Sequence, residues 1–404
     1  MAAETCDSVF PLLLLPDDLL ALVFARIDRL KNKVSLERVC KRFQRLLQLN
    51  SECWQYDSRV KVERTADRNT SKEKPEPMLS VNRQEFTSDQ ALKAFELLVS
   101  RVPIRQLAIL MYGGYREFIA WFLARLAAIL ENCQRPIRLD TFVYSCEEHY
   151  GFQSLMPFLR VIEFISKIKL NTGCYKENQT DFLLKKFPDL ELISLNVPGT
   201  MDNSSRRPVQ PFLLPPSSLH SLKHLRHLSL HDIGDLSNQQ LAFLVNGCPY
   251  LQVLAVAGDT PIEPNQLLSE FSEDTQNRLK DLEFWLKEPQ ADPFVFISSC
   301  LSLFPKLQRL ALEQLVPDRY GEFSHRTWAA KTVVQSVAQC IDYLAWSRQR
   351  RSPLKLEMSF SIDLGIIKYY MKKYCEEVMF KGDKVQCVRG NATVLVQRGR
   401  VHWR

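Results

Sequence analysis

One spacing constrains this chain more than any other feature: an apolar pattern of the form L-x-x-L-x-L recurs along most of its length. The copies begin at Ile104, Leu139, Ile165, Leu190, Leu225, Leu251, Leu279 and Leu307, and two weaker ones centre on Leu356 and Val378. Their middle apolar residues lie 25–28 positions apart in five of nine intervals. Each unit supplies a short strand and a returning helix, and no unit buries its apolar side alone. The spacing therefore predicts an α/β solenoid, a curved parallel sheet with outer helices.

The boundaries of this array follow from where the pattern begins and ends. A helical stripe from Gln90 opens the region, and we assign residues 90–383 to the solenoid. Residues 236–246 predict one returning helix, which Gly247 ends. Residues 384–404 alternate apolar and polar side chains around a turn at residues 389–391, which predicts a hairpin that caps the open end of the sheet.

Residues 10–60 differ from the array and predict three helices. Pro16 suits the first turn of the first helix, and Ser35 is the expected N-cap of the second. A third short segment carries Trp54. So small a module buries little apolar surface, so we expect it to lean on a partner or on the rest of the chain. Residues 61–89 contain a polar stretch with two prolines and predict a linker.

The N-terminal module carries a recognisable set of residues. They are Leu15 to Leu20 (LPDDLL), Val23, Phe24, Ile27, Leu36, Val39 to Phe43 (VCKRF), Leu46, Leu47 and Trp54. In this order and spacing they resemble an F-box, and the array behind them resembles the leucine-rich repeats that follow many F-boxes. The resemblance implies a non-catalytic subunit of an SCF-type ubiquitin ligase, which docks on a Skp-type adaptor and through it on cullin. The repeats would then bind a target protein for ubiquitination.

The apolar stripes of this module also hold more large side chains than three short helices hide, and an exposed apolar patch marks an interface. We expect nine residues to dock on the adaptor or to support docking. They are Leu15, Pro16, Leu19, Leu20, Val23, Leu36, Val39, Cys40 and Phe43.

The target is expected on the concave face, where the residues between the inward strand positions point. The candidates are Asn196, Ser229, His231, Glu283, Trp285, Arg309 and Glu313. Trp285 suits an interface anchor, although packing against the neighbouring repeat explains it equally well. His227 and His231 share a strand face, and we interpret them as a solvated pair rather than half of a metal site.

Composition excludes several other classes. The 11 Cys are scattered and form no C-x-x-C pair, which is typical of reduced thiols and predicts no metal site. No catalytic or phosphate-loop motif occurs, so we expect neither an enzyme nor a cofactor. No run of about 18 apolar residues and no secretion signal is present, which favours a cytoplasmic or nuclear protein without membrane contact.

Basic charge is concentrated at the C-terminal end. Residues 340–404 hold 13 Lys or Arg and 6 Asp or Glu, whereas the rest of the chain is neutral. A solvated face explains this, and so does a contact surface for an acidic target. Tyr369, Tyr370, Tyr374 and Trp403 lie among these cations, so nucleic-acid binding is a third, less favoured hypothesis. A scaffold that uses its F-box outside any ligase is a further alternative.

Overall fold

A computed structural model describes most of the chain. The described residues are 15–27, 32, 35–36, 38–49, 59–64, 79–81, 84–101, 103–111, 116–133, 135–146, 151–172, 177–196, 222–231, 237–257, 264–286, 293–314, 334–335, 337–342, 344, 355–360, 364–381, 384–389 and 392–398. The chain divides into two compact units, residues 1–146 with 154–165, and residues 147–153 with 166–404.

The first unit contains the helices α1 (Asp17–Ala25) and α2 (Lys41–Leu49). Residues 32, 35 and 36 between them are also helical. Their shared core consists of Leu20, Ala21, Phe24, Phe43, Leu46 and Leu47. The rings of Phe24 and Phe43 meet edge to face, with centroids 4.9 Å apart. The third predicted segment, with Trp54, lies outside the described residues.

The second predicted helix does not run on from an N-cap at Ser35, because Ser35 and Leu36 are themselves helical and a turn separates them from α2. The N–H groups of Arg38 and Val39 donate three residues back, which makes a turn, and the helix begins at Lys41. The N–H of Phe43 donates to Cys40 Sγ at 3.5 Å. The thiol of Cys40 thus takes the capping position that the sequence had suggested for Ser35, because it lies three residues before a free helical N–H.

The sheet of the first unit has the strand order β3-β2-β1-β4-β5. Its strands are β1 (Arg59–Arg64), β2 (Leu79–Val81), β3 (Gln84–Phe86), β4 (Gln106–Met111) and β5 (Arg138–Cys146), and its helices are α3 (Ser88–Arg101), α4 (Arg116–Glu131) and α5 (Gly151–Val161). Strands β1, β4 and β5 run parallel, whereas β2 and β3 pair antiparallel.

The prediction of a linker over residues 61–89 is therefore wrong. Strands β1, β2 and β3 lie largely within it, and α3 begins at its end. The cause is a short alternation that the surrounding polar residues hide. Val60 and Val62 are both buried and point to the same side of β1, which pairs with β4 along its whole length.

The second unit contains the larger sheet. Its strands are β6 (Phe164–Thr172), β7 (Leu192–Asn196), β8 (His227–His231), β9 (Val253–Ala257), β10 (Asp281–Leu286), β11 (Arg309–Gln314), β12 (Lys355–Phe360), β13 (Glu377–Lys381), β14 (Lys384–Arg389) and β15 (Ala392–Arg398). Its helices include α6 (Glu177–Lys186), α7 (Asn238–Asn246), α8 (Pro264–Glu270), α9 (Glu273–Arg278), α10 (Pro293–Leu303) and α11 (Leu364–Met371). Residues 334, 335, 337–342 and 344 are also helical. Strands β6 to β12 are parallel neighbours in chain order, and the order continues β12-β15-β14-β13.

The register of this sheet aligns the predicted repeats. The middle apolar residues form one row across β6 to β12: Ile168, Ile193, Leu228, Leu254, Leu282, Leu310 and Leu356. All seven are buried. The residues two positions later form a second buried row. The prediction of an α/β fold built on a mostly parallel sheet is confirmed.

The weak copy centred on Val378 is wrong as a repeat. Val378 lies in β13, which pairs antiparallel with β14. Only residues 382 and 383 separate these strands, and so short a connection permits a hairpin but not a parallel crossover. Of the hairpin expected at residues 384–404, β14 and β15 are present and pair antiparallel, whereas residues 390, 391 and 399–404 lie outside the described residues. Strand β15 rather than β14 joins the parallel sheet.

Helix α7 shows how local sequence fixes one returning helix. Ser237 Oγ accepts from the Gln240 N–H at 3.2 Å, and Gln240 Oε1 accepts from the Ser237 N–H at 2.9 Å. This reciprocal pair satisfies two N–H groups at the helix start. At the other end the Gly247 N–H donates to the Phe243 carbonyl, where the sequence predicted the helix to stop.

Replacing the capping hydroxyl tests this arrangement. Ser237→Ala is expected to lower the free energy of unfolding by about 1 kcal/mol, because one N–H of the first turn loses its acceptor. Ser237→Asp keeps an acceptor and should stay close to the native value. Urea unfolding followed by circular dichroism measures both, and equal stability of the alanine variant and the native chain would contradict the capping role.

Candidate binding surfaces

Helix α1 buries one side and leaves the other apolar. Leu20 and Phe24 fill the core, whereas Leu19 is 48% exposed and Leu22 is 51% exposed. Val23 is also exposed. The three exposed residues lie at positions i, i+3 and i+4, so they are neighbours on one side of the helix, here called the α1 face. A small module therefore presents a continuous apolar surface that its own core does not use.

The segment before α1 is held by Arg42. Its guanidinium donates from Nε at 2.8 Å and from Nη2 at 2.6 Å to Asp17 Oδ1, and Nη2 also donates to the Leu15 carbonyl at 2.6 Å. Both partners of the ion pair are more than a third exposed, so the pair contributes little to stability. Its effect is positional, since it fixes the Leu15–Asp17 backbone against the first turn of α2.

The nine predicted docking residues divide by burial. Pro16, Leu19, Val23 and Val39 are exposed; Leu15, Leu36 and Cys40 are partly buried against the core; Leu20 and Phe43 lie within it. The last two support the surface from below, since the core leaves their side chains no exposed area to present. Leu22 belongs to the α1 face, and its spacing of three from Leu19 was the sequence signal that would have found it.

In the second unit, the side of the sheet opposite the buried rows forms the polar face. Asn196, His231, Ala257, Trp285 and Glu313 stand at matching positions on β7 to β11. The other three target candidates stand at alternate positions of β8, β10 and β11: Ser229, Glu283 and Arg309. All seven predicted target-binding residues thus share one face. The side chains of Trp285 and Glu313 lie outside the described residues.

Two candidates on β8 are bound to each other. Ser229 Oγ and His231 Nε2 are 2.6 Å apart, and Ser229 is buried. The buried Ser229 thus holds the His231 ring by this contact. Burial lowers the pKa of His227 on the same strand, and the nearby charge of Lys169 lowers it further. His227 is thus uncharged at neutral pH.

Among the described residues, no group of three His, Cys, Asp or Glu could hold a metal ion.

A charge network, here called the Arg309 network, occupies the polar face from β10 to β12. Arg309 donates to Asp281 at 2.9 Å, to Glu283 at 3.1 Å and to Glu357 at 3.0 Å. Glu357 also binds Lys355 at 2.7 Å and Lys384 at 3.4 Å, and its side chain is only 8% exposed. Three carboxylates face three cations, so this part of the face neutralises itself.

Glu357 is the most strongly held member of the network. Burial alone would raise its pKa, but the hydrogen bonds from Lys355 and Arg309 outweigh burial and lower the pKa to about 2. Burial raises the pKa of Asp281, because Arg309 compensates it only in part. Glu283 and Arg309, predicted from sequence as target contacts, are therefore already paired with each other. Glu357 was not singled out from the sequence, because it follows Leu356 in a weak copy of the repeat pattern.

The network predicts a specific loss of stability in acid. The pKa of Glu357 lies below its usual 4.5 in the folded chain, so its contribution is complete above pH 4.5 and disappears as the pH falls towards about 2. Glu357→Gln should be less stable by about 1–3 kcal/mol at neutral pH, with a flatter decline in acid. Urea midpoints across this interval measure the difference.

Exposed Glu163 supplies the matched control, because Glu163→Gln removes a carboxylate outside the network. That variant should follow the native pH profile. The pKa of Asp281 is raised in the folded chain, so protonation of Asp281 stabilises the fold, opposite to the effect of Glu357. Because the native chain and both variants contain Asp281, its contribution does not separate their profiles. A Glu357→Gln profile that parallels the native one would show that the network does not stabilise the fold.

The structure describes the side chains of two of the four aromatic residues singled out in the basic C-terminal region. Tyr369 on α11 is 68% exposed, and Tyr374 is also exposed, so neither fills the core of the last unit. The side chain of Tyr370 and all of Trp403 lie outside the described residues. Lys372 and Lys373 separate the two tyrosines and are exposed.

A ligand cavity and a membrane-spanning helix are the two other features considered in the described residues. A cavity between β6, β7, β8 and their helices has a volume of about 20 Å³ and a wholly apolar lining, which is too small for an organic ligand. None of the described helices is both long and apolar enough to cross a membrane.

No protein-family model matches this chain, and no curated protein shows significant similarity to it.

Proposed function

We propose that this chain is the substrate-recognition subunit of an SCF-type ubiquitin ligase. The observation that carries the proposal is the exposed α1 face, with Leu19, Leu22 and Val23 outward on a module whose described core does not include them. Apolar side chains left in water at this density favour a protein interface. In the proposal residues 10–60 are an F-box, and the α1 face with Pro16 and Val39 binds the Skp-type adaptor.

The Arg42 contact gives the F-box motif a physical reason in this proposal. Leu15 and Pro16 start the motif, and Arg42 belongs to the V-C-K-R-F segment 24 residues after Leu15. Because Arg42 binds Asp17 and the Leu15 carbonyl, the two halves of the motif are joined. The adaptor would then meet a prearranged surface, which lowers the entropy lost on binding.

The parallel strands β4 to β12 are proposed to be leucine-rich repeats, and the polar face is proposed to bind the target protein. Asn196 and His231 lie side by side there, with Trp285 two strands further along the row. The Arg309 network has little free charge to offer. A target would therefore be selected by hydrogen bonds around His231 and by contact with residue 285. In this proposal the chain positions the target, and other subunits transfer ubiquitin.

Charge placed on the α1 face tests the adaptor proposal. Leu19→Asp with Val39→Asp is expected to weaken binding to a purified Skp-type adaptor at least tenfold, about 1.4 kcal/mol, because carboxylates would be buried in an apolar interface. Both side chains are largely exposed, so stability should change by no more than about 0.5 kcal/mol each. Co-purification and titration calorimetry measure adaptor binding.

The matched control is Phe243→Asp, which alters an exposed apolar residue on α7 and should bind the adaptor like the native chain. A native chain that binds no adaptor would refute the proposal. Adaptor binding without recruitment of cullin would instead favour a scaffold outside the ligase.

One observation favours a second candidate, the binding of single-stranded nucleic acid. Tyr369 and Tyr374 are exposed beside Lys372 and Lys373, and exposed aromatic rings among cations stack with bases. In that case affinity for a short oligonucleotide should fall steeply with salt, and Tyr369→Ala with Tyr374→Ala should reduce it at least tenfold. Fluorescence anisotropy decides, and no binding at low salt removes this candidate.

A further inference from the structure

The sheet of the second unit ends at β13, the last strand in its order. Among the strands that the structure describes, β13 pairs with β14 on one side and with none on the other. An edge of this kind presents unpaired N–H and C=O groups to any strand that approaches it. Proteins usually protect such edges with short strands, central charges, proline or bulges.

The centre of β13 carries apolar side chains instead of charge. Phe380 is 51% exposed and Met379 is also exposed, whereas the charged residues Glu377 and Lys381 stand at the two ends. On the helix side, the Lys368 ammonium lies 4.4 Å from the centre of the Phe380 ring. The edge therefore offers an apolar centre between an acidic and a basic end.

This order of residues is complementary to itself. If a second β13 runs antiparallel with Met379 opposite Met379, then Val378 stands opposite Phe380, and Glu377 stands opposite Lys381 at both ends. Opposite charges and paired apolar residues at directly opposed positions stabilise antiparallel strands. A two-fold axis perpendicular to the sheet places the same residues on the same face of both copies.

We propose that a second copy of this chain pairs along β13, so that the two sheets join through an antiparallel β13–β13 contact. The contact satisfies the open backbone groups and covers Met379 and Phe380. Five residues per copy make a small interface, so the dimer is weak and depends on concentration. Pairing does not rest on the proposed ligase function. It would present two polar faces together, and a target with two binding segments would be held with higher avidity.

Charge substitutions at the ends of β13 test the register. Glu377→Lys sets Lys against Lys at both ends, and Lys381→Glu sets Glu against Glu, so each variant alone should self-associate at least tenfold more weakly than the native chain. In a mixture of the two variants, position 377 of the Glu377→Lys copy carries Lys and faces position 381 of the Lys381→Glu copy, which carries Glu. At the other end of the contact, Lys381 of the first copy faces Glu377 of the second. The mixture should therefore form a one-to-one heterodimer.

Sedimentation velocity of the full chain, from low concentration up to about 100 µM, measures these equilibria. The doubly exchanged variant, Glu377→Lys with Lys381→Glu, should regain the native dimer. Lys372→Glu is the matched control, since it makes the same change of charge on an exposed residue outside β13 and should leave the dimer unchanged.

Two results would overturn the proposal. A native chain that remains monomeric throughout would exclude self-pairing and leave the edge to a strand from another protein. A dimer that persists in both single variants, or single variants that fail to associate when mixed, would place the contact elsewhere. Circular dichroism of each variant confirms that the fold is intact, and the mixing experiment distinguishes lost pairing from lost folding.

Discussion

The stacking of apolar rows is the constraint on which the second unit depends. Leu228, Leu254 and Leu282 each lie in a short strand that cannot bury its own apolar side, and each is buried because its neighbours stand in register. A slip of one residue would turn every one of these side chains to the opposite face. The parallel register therefore fixes which residues remain for the polar face, and the position of any target site follows from it.

The α1 face and the polar face both consist of side chains that the cores of their units do not bury. In the N-terminal module, Leu20 and Phe24 complete the core, so Leu19 on the same helix remains in water. On the polar face, nearby charges pair where they can, and the Arg309 network is the result. Groups already paired have little binding energy to offer a partner, whereas an unused apolar face offers much. This contrast favours the α1 face as the stronger contact.

The C-terminal strands close the sheet in an unexpected order. Because β15 joins β12, the chain places β13 at the outside, although β13 precedes β15 in sequence. The edge therefore carries Met379 and Phe380 rather than the residues of the last strand. Whether such an edge is a liability or an interface depends on what opposes it, and its self-complementary ends favour a second copy.

The sequence by itself determined the α/β class, the positions of strands β4 to β12 and helix α7, because apolar spacing and capping residues act locally. It also placed the target candidates on one face, since strand residues alternate. Tertiary structure alone decided that residues 59–64 form a strand, that Cys40 rather than Ser35 caps α2, and that Val378 lies in a hairpin. It likewise decided the pairing of Glu357 with Arg309. These depend on contacts between residues far apart in the chain, which no local spacing records.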